Sequence, residues 1–180
     1  MSLTSVERRR MSLDEFLGLP DDVRAEYVDG VAIMTPPATW SHQTVAFKVA
    51  LALHSALTDV VIAPEAGVRI NSQRFRIADV AVADTMPDGR FTEAPPLVVV
   101  EVLSPSTRSE DTVRKSHEYA TCGVSQYWIV DREARSLTAY SNNGAGWDVL
   151  LELDQDHPRG SVDVGVHGTV ELDLVTLLGG

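Results

Sequence analysis

Apolar residues return along this chain in two rhythms. From about Ser41 to Leu57, Val45, Val49, Leu53 and Leu57 recur every four residues with Ala46, Ala50 and Ala56 beside them. That spacing predicts an amphipathic helix laid on a sheet. Elsewhere the runs are short: Val60–Ala63, Gly67–Ile70, Phe75–Ala83, Leu97–Leu103 and Tyr127–Val130 read as strands. Phe75–Ala83 and Leu97–Leu103 are nearly unbroken apolar runs, as in strands covered on both faces. Asp29-Gly30, between Ala25–Val28 and Val31–Met34, predicts a hairpin, and Asn71-Ser72-Gln73 a turn. Leu137–Tyr140 and Trp147–Leu153 flank Asn142-Asn143-Gly144 as a second hairpin. Val162–Val166 and Val170–Leu174 are expected to close the sheet, with Val175–Leu178 as a final helical turn.

Polar signals set the boundaries. Ser12-Leu13-Asp14-Glu15 fits a capping box opening a short helix that Gly18 and Pro20 end. Thr107-Arg108-Ser109-Glu110 offers another, starting a helix from about Ser109 to Thr121 with Gly123 as its stop. On that helix Lys115 and Tyr119 stand four apart on one face, along with Asp111. Residues 1–11, with three successive arginines at Arg8–Arg10, read as a flexible N-terminal arm, and residues 12–180 as a single domain. The chain's 180 residues, 44% hydrophobic and 23% charged, suit one core of that size.

Two core strands each carry one acid, Asp79 in Phe75–Ala83 and Glu101 in Leu97–Leu103. Alone, either could be an edge residue or the partner of a structural arginine. Together, two carboxylates from successive strands repel unless a cation sits between them. Magnesium takes such oxygen ligands, and the Val102 carbonyl, beside Glu101, can supply another. A lysine within reach could orient or help deprotonate water for attack on a phosphodiester. Of 15 basic residues only Lys48 and Lys115 are lysines, and a compact ammonium can change its protonation state where guanidinium cannot.

Composition narrows the rest. A net charge of −11 argues against loose binding of nucleic acid over an all-round basic surface, though not against a local basic strip. Arg69, Arg74 and Arg76 around the Asp79 strand, and Arg108 and Arg114 around the Glu101 strand, are candidate phosphate contacts beside their plainer reading as solvated arginines. Cys122, the only cysteine, excludes an intramolecular disulfide and a cysteine-clustered zinc site, and is expected to be a buried thiol. The absence of a long apolar run or a signal-peptide core makes a cytoplasmic protein the expectation.

The text resembles the Uma-type family of restriction endonucleases within the PD-(D/E)XK nuclease superfamily. The resemblance is carried by Glu26-Tyr27-Val28-Asp29-Gly30, Ser41-His42, Ala78-Asp79-Val80-Ala81-Val82, the block Leu97 to Thr107, Lys115 with Tyr119, and Gly123 to Asp131. It implies an α/β restriction-endonuclease-like fold, a central mixed β-sheet flanked by helices with extra β-hairpins. It also implies Asp79 and Glu101 as ligands of Mg2+ (Mn2+ as substitute), Lys115 as the catalytic lysine and Glu26 as an assisting acid. His42 and Tyr119 match recurring positions with supporting roles. DNA is the implied substrate, and a homodimer, one copy per strand, the implied assembly. Two departures stand out: Ala78 replaces the signature proline, and Leu103 occupies the usual lysine position, so the role falls to Lys115. The alternatives are a catalytically inactive nuclease-fold scaffold binding protein or nucleic acid, and a metal enzyme acting on a small phosphorylated substrate.

Overall fold

The computed structural model describes residues 5–20, 22–104 and 110–179, the side chains of residues 110 and 111 excepted. Within the stretch expected to be an arm, Glu7–Arg10 forms β1 and pairs antiparallel with β3 (Val31–Met34). The helical turn α1 (Leu13–Leu17) has its capping box: Ser12 Oγ accepts from the Glu15 N–H at 3.2 Å, and Glu15 Oε2 from the Ser12 N–H at 2.7 Å. β2 (Ala25–Val28) and β3 meet through Asp29 (φ 48°) and Gly30 (φ 87°), the left-handed pair that a tight hairpin turn requires.

Helix α2 (Trp40–Ala56) follows, capped by Thr39 Oγ1 on the His42 N–H. Its Val45, Ala46, Val49 and Leu53 are buried. The next two strand segments predicted by sequence are one strand, β4 (Val61–Asn71), paired along its length with β5 (Arg74–Ala83). Two-residue β6 (Phe91–Thr92) adds to β4, and β7 (Val98–Leu103) is buried at every position. A π-helical segment, Glu110–Lys115, leads into α3 (Ser116–Cys122), which Gly123 ends at φ 94°. The predicted capping residues Thr107, Arg108 and Ser109 lie outside the described residues, as do the side chains of Glu110 and Asp111. β8 (Gln126–Asp131), β9 (Ser136–Asn142) and β10 (Trp147–Leu153) complete the path.

The large sheet runs β1-β3-β2-β5-β7-β8-β9-β10, with β4 on the other edge of β5. β7 and β8 are parallel, joined across α3, while their other neighbours are antiparallel, so the sheet is mixed. The expectation that the last two strands close this sheet is corrected. β11 (Arg159–Asp163) and β12 (Thr169–Asp173) pair with each other as a separate two-stranded sheet, followed by α4 (Leu174–Leu178). Their buried Val162, Val170 and Leu172 join α2 in the main core, where apolar cover contributes more than a further ladder at the rim would.

One irregularity positions everything that follows. On one edge of β5, β2 pairs only at Arg74 and Phe75, and β7 only at Val80, Ala81 and Val82. Between them the ladder is open at residues 76–79. Backbone groups left in such a gap must find other partners.

Candidate functional site

Side chains fill the gap. Glu26, on β2, accepts the Ile77 N–H through Oε1 at 3.1 Å, and the Ile77 carbonyl accepts from Lys115 Nζ at 3.1 Å. One residue pair on, Asp79 Oδ2 accepts the Val102 N–H at 2.7 Å, taking the place of a ladder bond as β7 leaves β5. Glu26 and Asp79 thus satisfy backbone donors that the strand divergence exposes. Sequence alone shows the acids but not the divergence.

Lys115 is 7% exposed and points inward from the end of the π-helical segment. Its ammonium lies 3.0 Å from Glu101 Oε1 and 3.1 Å from Glu26 Oε1. Tyr119, one α-turn later, donates its hydroxyl to the same Glu101 oxygen at 2.8 Å. Glu101 is 2% exposed, and these partners compensate the burial of its charge. The structure therefore brings Glu26, Asp79, Glu101, Lys115 and Tyr119 into one cluster.

His42 enters from the other layer. Its Nε2 lies 2.8 Å from the Val102 carbonyl and 3.2 Å from Asp79 Oδ2, while Nδ1 is buried without a hydrogen-bond partner among the described residues. Burial alone would lower the His42 pKa, but the hydrogen bond and charge of Asp79 outweigh it and raise the value above the ordinary one. For Asp79, burial pushes upward and the His42 contact, Lys115 and the Val102 N–H prevail, so its carboxyl is held below the usual range. Glu26 behaves alike. Burial opposes its charge, yet Lys115, Arg76 and the Ile77 N–H bring its pKa down to about 2. The Tyr119 phenol is pushed well above its ordinary value, first by burial and then by Glu101.

The donor chemistry fits a hard divalent cation. Asp79, Glu101 and the Val102 carbonyl are oxygen donors on adjoining backbone, and no described residue donates to Asp79 Oδ1. Among the described residues no three His, Cys, Asp or Glu side chains group as a metal site, so a cation here would rely on two carboxylates and a main-chain oxygen. Protein groups stand against these acids: the Lys115 ammonium between Glu26 and Glu101, and the His42 imidazole beside Asp79 and Val102.

A family model described as "Putative restriction endonuclease", Uma2, matches residues 13–177. The chain belongs to the Uma2 family. Its fold is also that of a crystal structure titled as a "putative nuclease belonging to DUF820" from Anabaena variabilis, at a TM-score of 0.71. The two are 18% identical over 93% of this chain and 97% of the other. No curated protein matches the chain. The restriction-endonuclease-like α/β fold expected from sequence is thus the one observed.

This Uma2 chain departs from the sequence reading at its arginines. Arg76, a candidate phosphate contact, is fully buried. It donates to Glu118 at 2.6 and 3.0 Å and to Glu26 at 2.9 Å. Arg74 likewise binds Glu118 at 3.2 Å and Asp29 at 2.5 Å. Both are held as structural cations, and Glu118, which the sequence reading passed over, anchors them from α3. The available signal was Arg76 itself: a guanidinium inside an apolar strand demands a buried acid. Arg69 is exposed with its guanidinium 6.0 Å from the Phe75 ring, and Arg108 lies outside the described residues. Cys122 is half-buried rather than enclosed. No helix among the described residues is long and apolar enough to cross a membrane.

Proposed function

We propose that this protein is a Mg2+-dependent endonuclease, accepting Mn2+, that hydrolyses DNA phosphodiester bonds in the cytoplasm as a homodimer. The single observation that carries the reading is the placement of Lys115. Leu103 stands in the usual lysine position, yet an ammonium from the next helix reaches Glu101 at 3.0 Å. An ammonium beside both carboxylates is the element the nuclease reading needs in place of the missing strand lysine.

In this reading Asp79, Glu101 and the Val102 carbonyl hold the metal, which supplies charge stabilisation at the phosphate oxygens. Lys115 would orient the attacking water and stabilise negative charge developing at the phosphate. Glu26 keeps that amine in place. With a pKa of about 2 it is too weak a base to take a proton at neutral pH, so its part is electrostatic. Tyr119 fixes one oxygen of Glu101, and His42 fixes Asp79 and the Val102 carbonyl. Membership of a family described as restriction endonucleases supports DNA as substrate.

The test is calorimetric titration of Mn2+ into the wild type and Asp79→Ala, with nicking of supercoiled plasmid on the same samples. Binding and nicking in the wild type, both lost in Asp79→Ala, are expected. A wild type that binds no metal would overturn the catalytic assignment and leave the scaffold.

A further inference from the structure

The face of α2 turned away from the sheet carries Trp40, Phe47 and Leu51, which are 91%, 65% and 51% exposed. With Gln43, Ala50 and His54 they line an apolar groove that ends against Ile62 and Pro64 of β4 and shares no residue with the candidate site. The opposite face already buries Val45, Ala46, Val49 and Leu53. A helix apolar on both faces is normally covered on both. Here one cover is missing.

The spacing says what fits. Positions 40, 43/44, 47, 50/51 and 54 follow the a/d rhythm of two heptads, and they are symmetric about Phe47. Trp40 lies seven residues before Phe47 and His54 seven after; Gln43 and Leu51 are each four away. A two-fold axis at Phe47 would lay a second α2 antiparallel along the first. The large Trp40 ring of each copy would then meet the Ala50–His54 end of the other. Self-complementarity of this kind is what an isologous interface requires.

Charge and area agree with that occupant. None of the groove's lining residues is Asp, Glu, Lys or Arg, and the acid at its rim, Glu65, is answered by Gln43 at 2.8 Å and Arg24 at 3.5 Å, so two copies of a chain with net charge −11 could meet here with little opposing charge at the seam. Trp40 and Phe47 alone expose roughly 300–350 Å² per copy, a large share of the roughly 800 Å² per partner in a standard interface. We infer that the outer face of α2 is the homodimer interface, with Phe47 packed on Phe47 of the second copy across an antiparallel helix pair. This deepens the two-copy reading above, which named no face.

The test is sedimentation velocity on the wild type and Phe47→Glu, with circular dichroism to show that the variant is folded. Exposure of Phe47 makes the substitution harmless to the core. A second variant, Phe47→Cys in a Cys122→Ser background, reads the register directly. Helices about 10 Å apart, the wide end of the packing range that bulky facing side chains favour, each with Cα atoms about 2.3 Å from its axis, leave facing Cα atoms roughly 5 Å apart, within disulfide span. A dimeric wild type, a monomeric Phe47→Glu and rapid oxidative cross-linking through Cys at 47 are expected. A monomeric wild type would overturn the inference together with the two-copy reading. A Phe47→Glu protein that remains dimeric would overturn only the inference, placing the contact on another face. Neither result depends on whether the site cuts DNA.

Discussion

Replacing Glu26 by Gln should expose the electrostatic strain under which the site is assembled. The Glu26 carboxyl accepts the Ile77 N–H and faces Lys115 and Arg76, and its pKa falls from 4.5 to about 2. Its side chain is 12% exposed, so solvent screening removes little of that effect. A drop of this size corresponds to about 3 kcal/mol of folding stability at neutral pH. Because the folded-state pKa is depressed, the contribution is complete above the ordinary carboxylate range and is lost as pH falls through the window from 4.5 toward 2. Glu26→Gln cannot titrate there. Urea denaturation at neutral pH should find the variant about 3 kcal/mol less stable. The gap should close at up to about 1.4 kcal/mol per pH unit below pH 4.5 and approach zero near pH 2. Asp79 titrates in both proteins and cancels in the difference. A gap that stays constant across the acid range would show that Glu26 acts by shape and hydrogen bonding, and the charge argument would fail.

Lys115→Met should destabilise the protein by about 3 kcal/mol, the low end for breaking a buried ion pair, because Arg76 still answers Glu26 and Tyr119 still donates to Glu101. The same variant should bind Mn2+ yet fail to nick plasmid, and Lys115→Arg should recover stability without nicking; wild-type nicking by Lys115→Met would refute the role. The pairings Arg8↔Ile33↔Glu26 and Arg10↔Val31↔Val28 put Arg8 and Arg10 on the face of Glu26, two strand spacings or about 10 Å away, and Arg9 on the other. Arg8→Ala and Arg10→Ala should each weaken duplex binding and lower the salt slope by about one, while Arg9→Ala, with the same change in net charge, should not. Equal losses from all three would indicate a general charge effect and no phosphate track.

What the sequence made legible was local. The Val45-Val49-Leu53 spacing, the Asp29-Gly30 turn and the Ser12 capping box each state a preference the backbone satisfies within a few residues. Asp79 and Glu101 were legible because a carboxylate in an apolar strand is costly wherever the strand sits; Lys115 came from the family resemblance, with the scarcity of lysine only a weak sign. Arg74 and Arg76 were misread for the complementary reason. Whether a strand arginine meets a phosphate or a carboxylate depends on what stands opposite, and here that is Glu118, 42 residues beyond Arg76. The separate pairing of β11 and β12 was hidden in the same way, since their alternation specifies a half-buried pair of strands but not which core covers them.

The open edge of β5 ties these observations together. Had β2 and β7 continued along residues 76–79, their backbones would have taken the Ile77 and Val102 groups, and the acids would have been left as uncompensated charges in a core. Their divergence reverses that balance: Glu26 and Asp79 each replace a ladder bond, with Lys115 set against Glu26 and His42 against Asp79 from the helical segments on either layer. His42 touches both Asp79 Oδ2 and the Val102 carbonyl, the oxygens that would hold the proposed metal. Metal occupancy should therefore be felt at His42, five residues from Phe47 on the same helix. Because His42 fixes both oxygens, His42→Ala should bind Mn2+ more weakly than the wild type. Tighter binding by His42→Ala, measured in the same Mn2+ titration, would refute that positioning role and leave His42 as a mere occupant of the two oxygens.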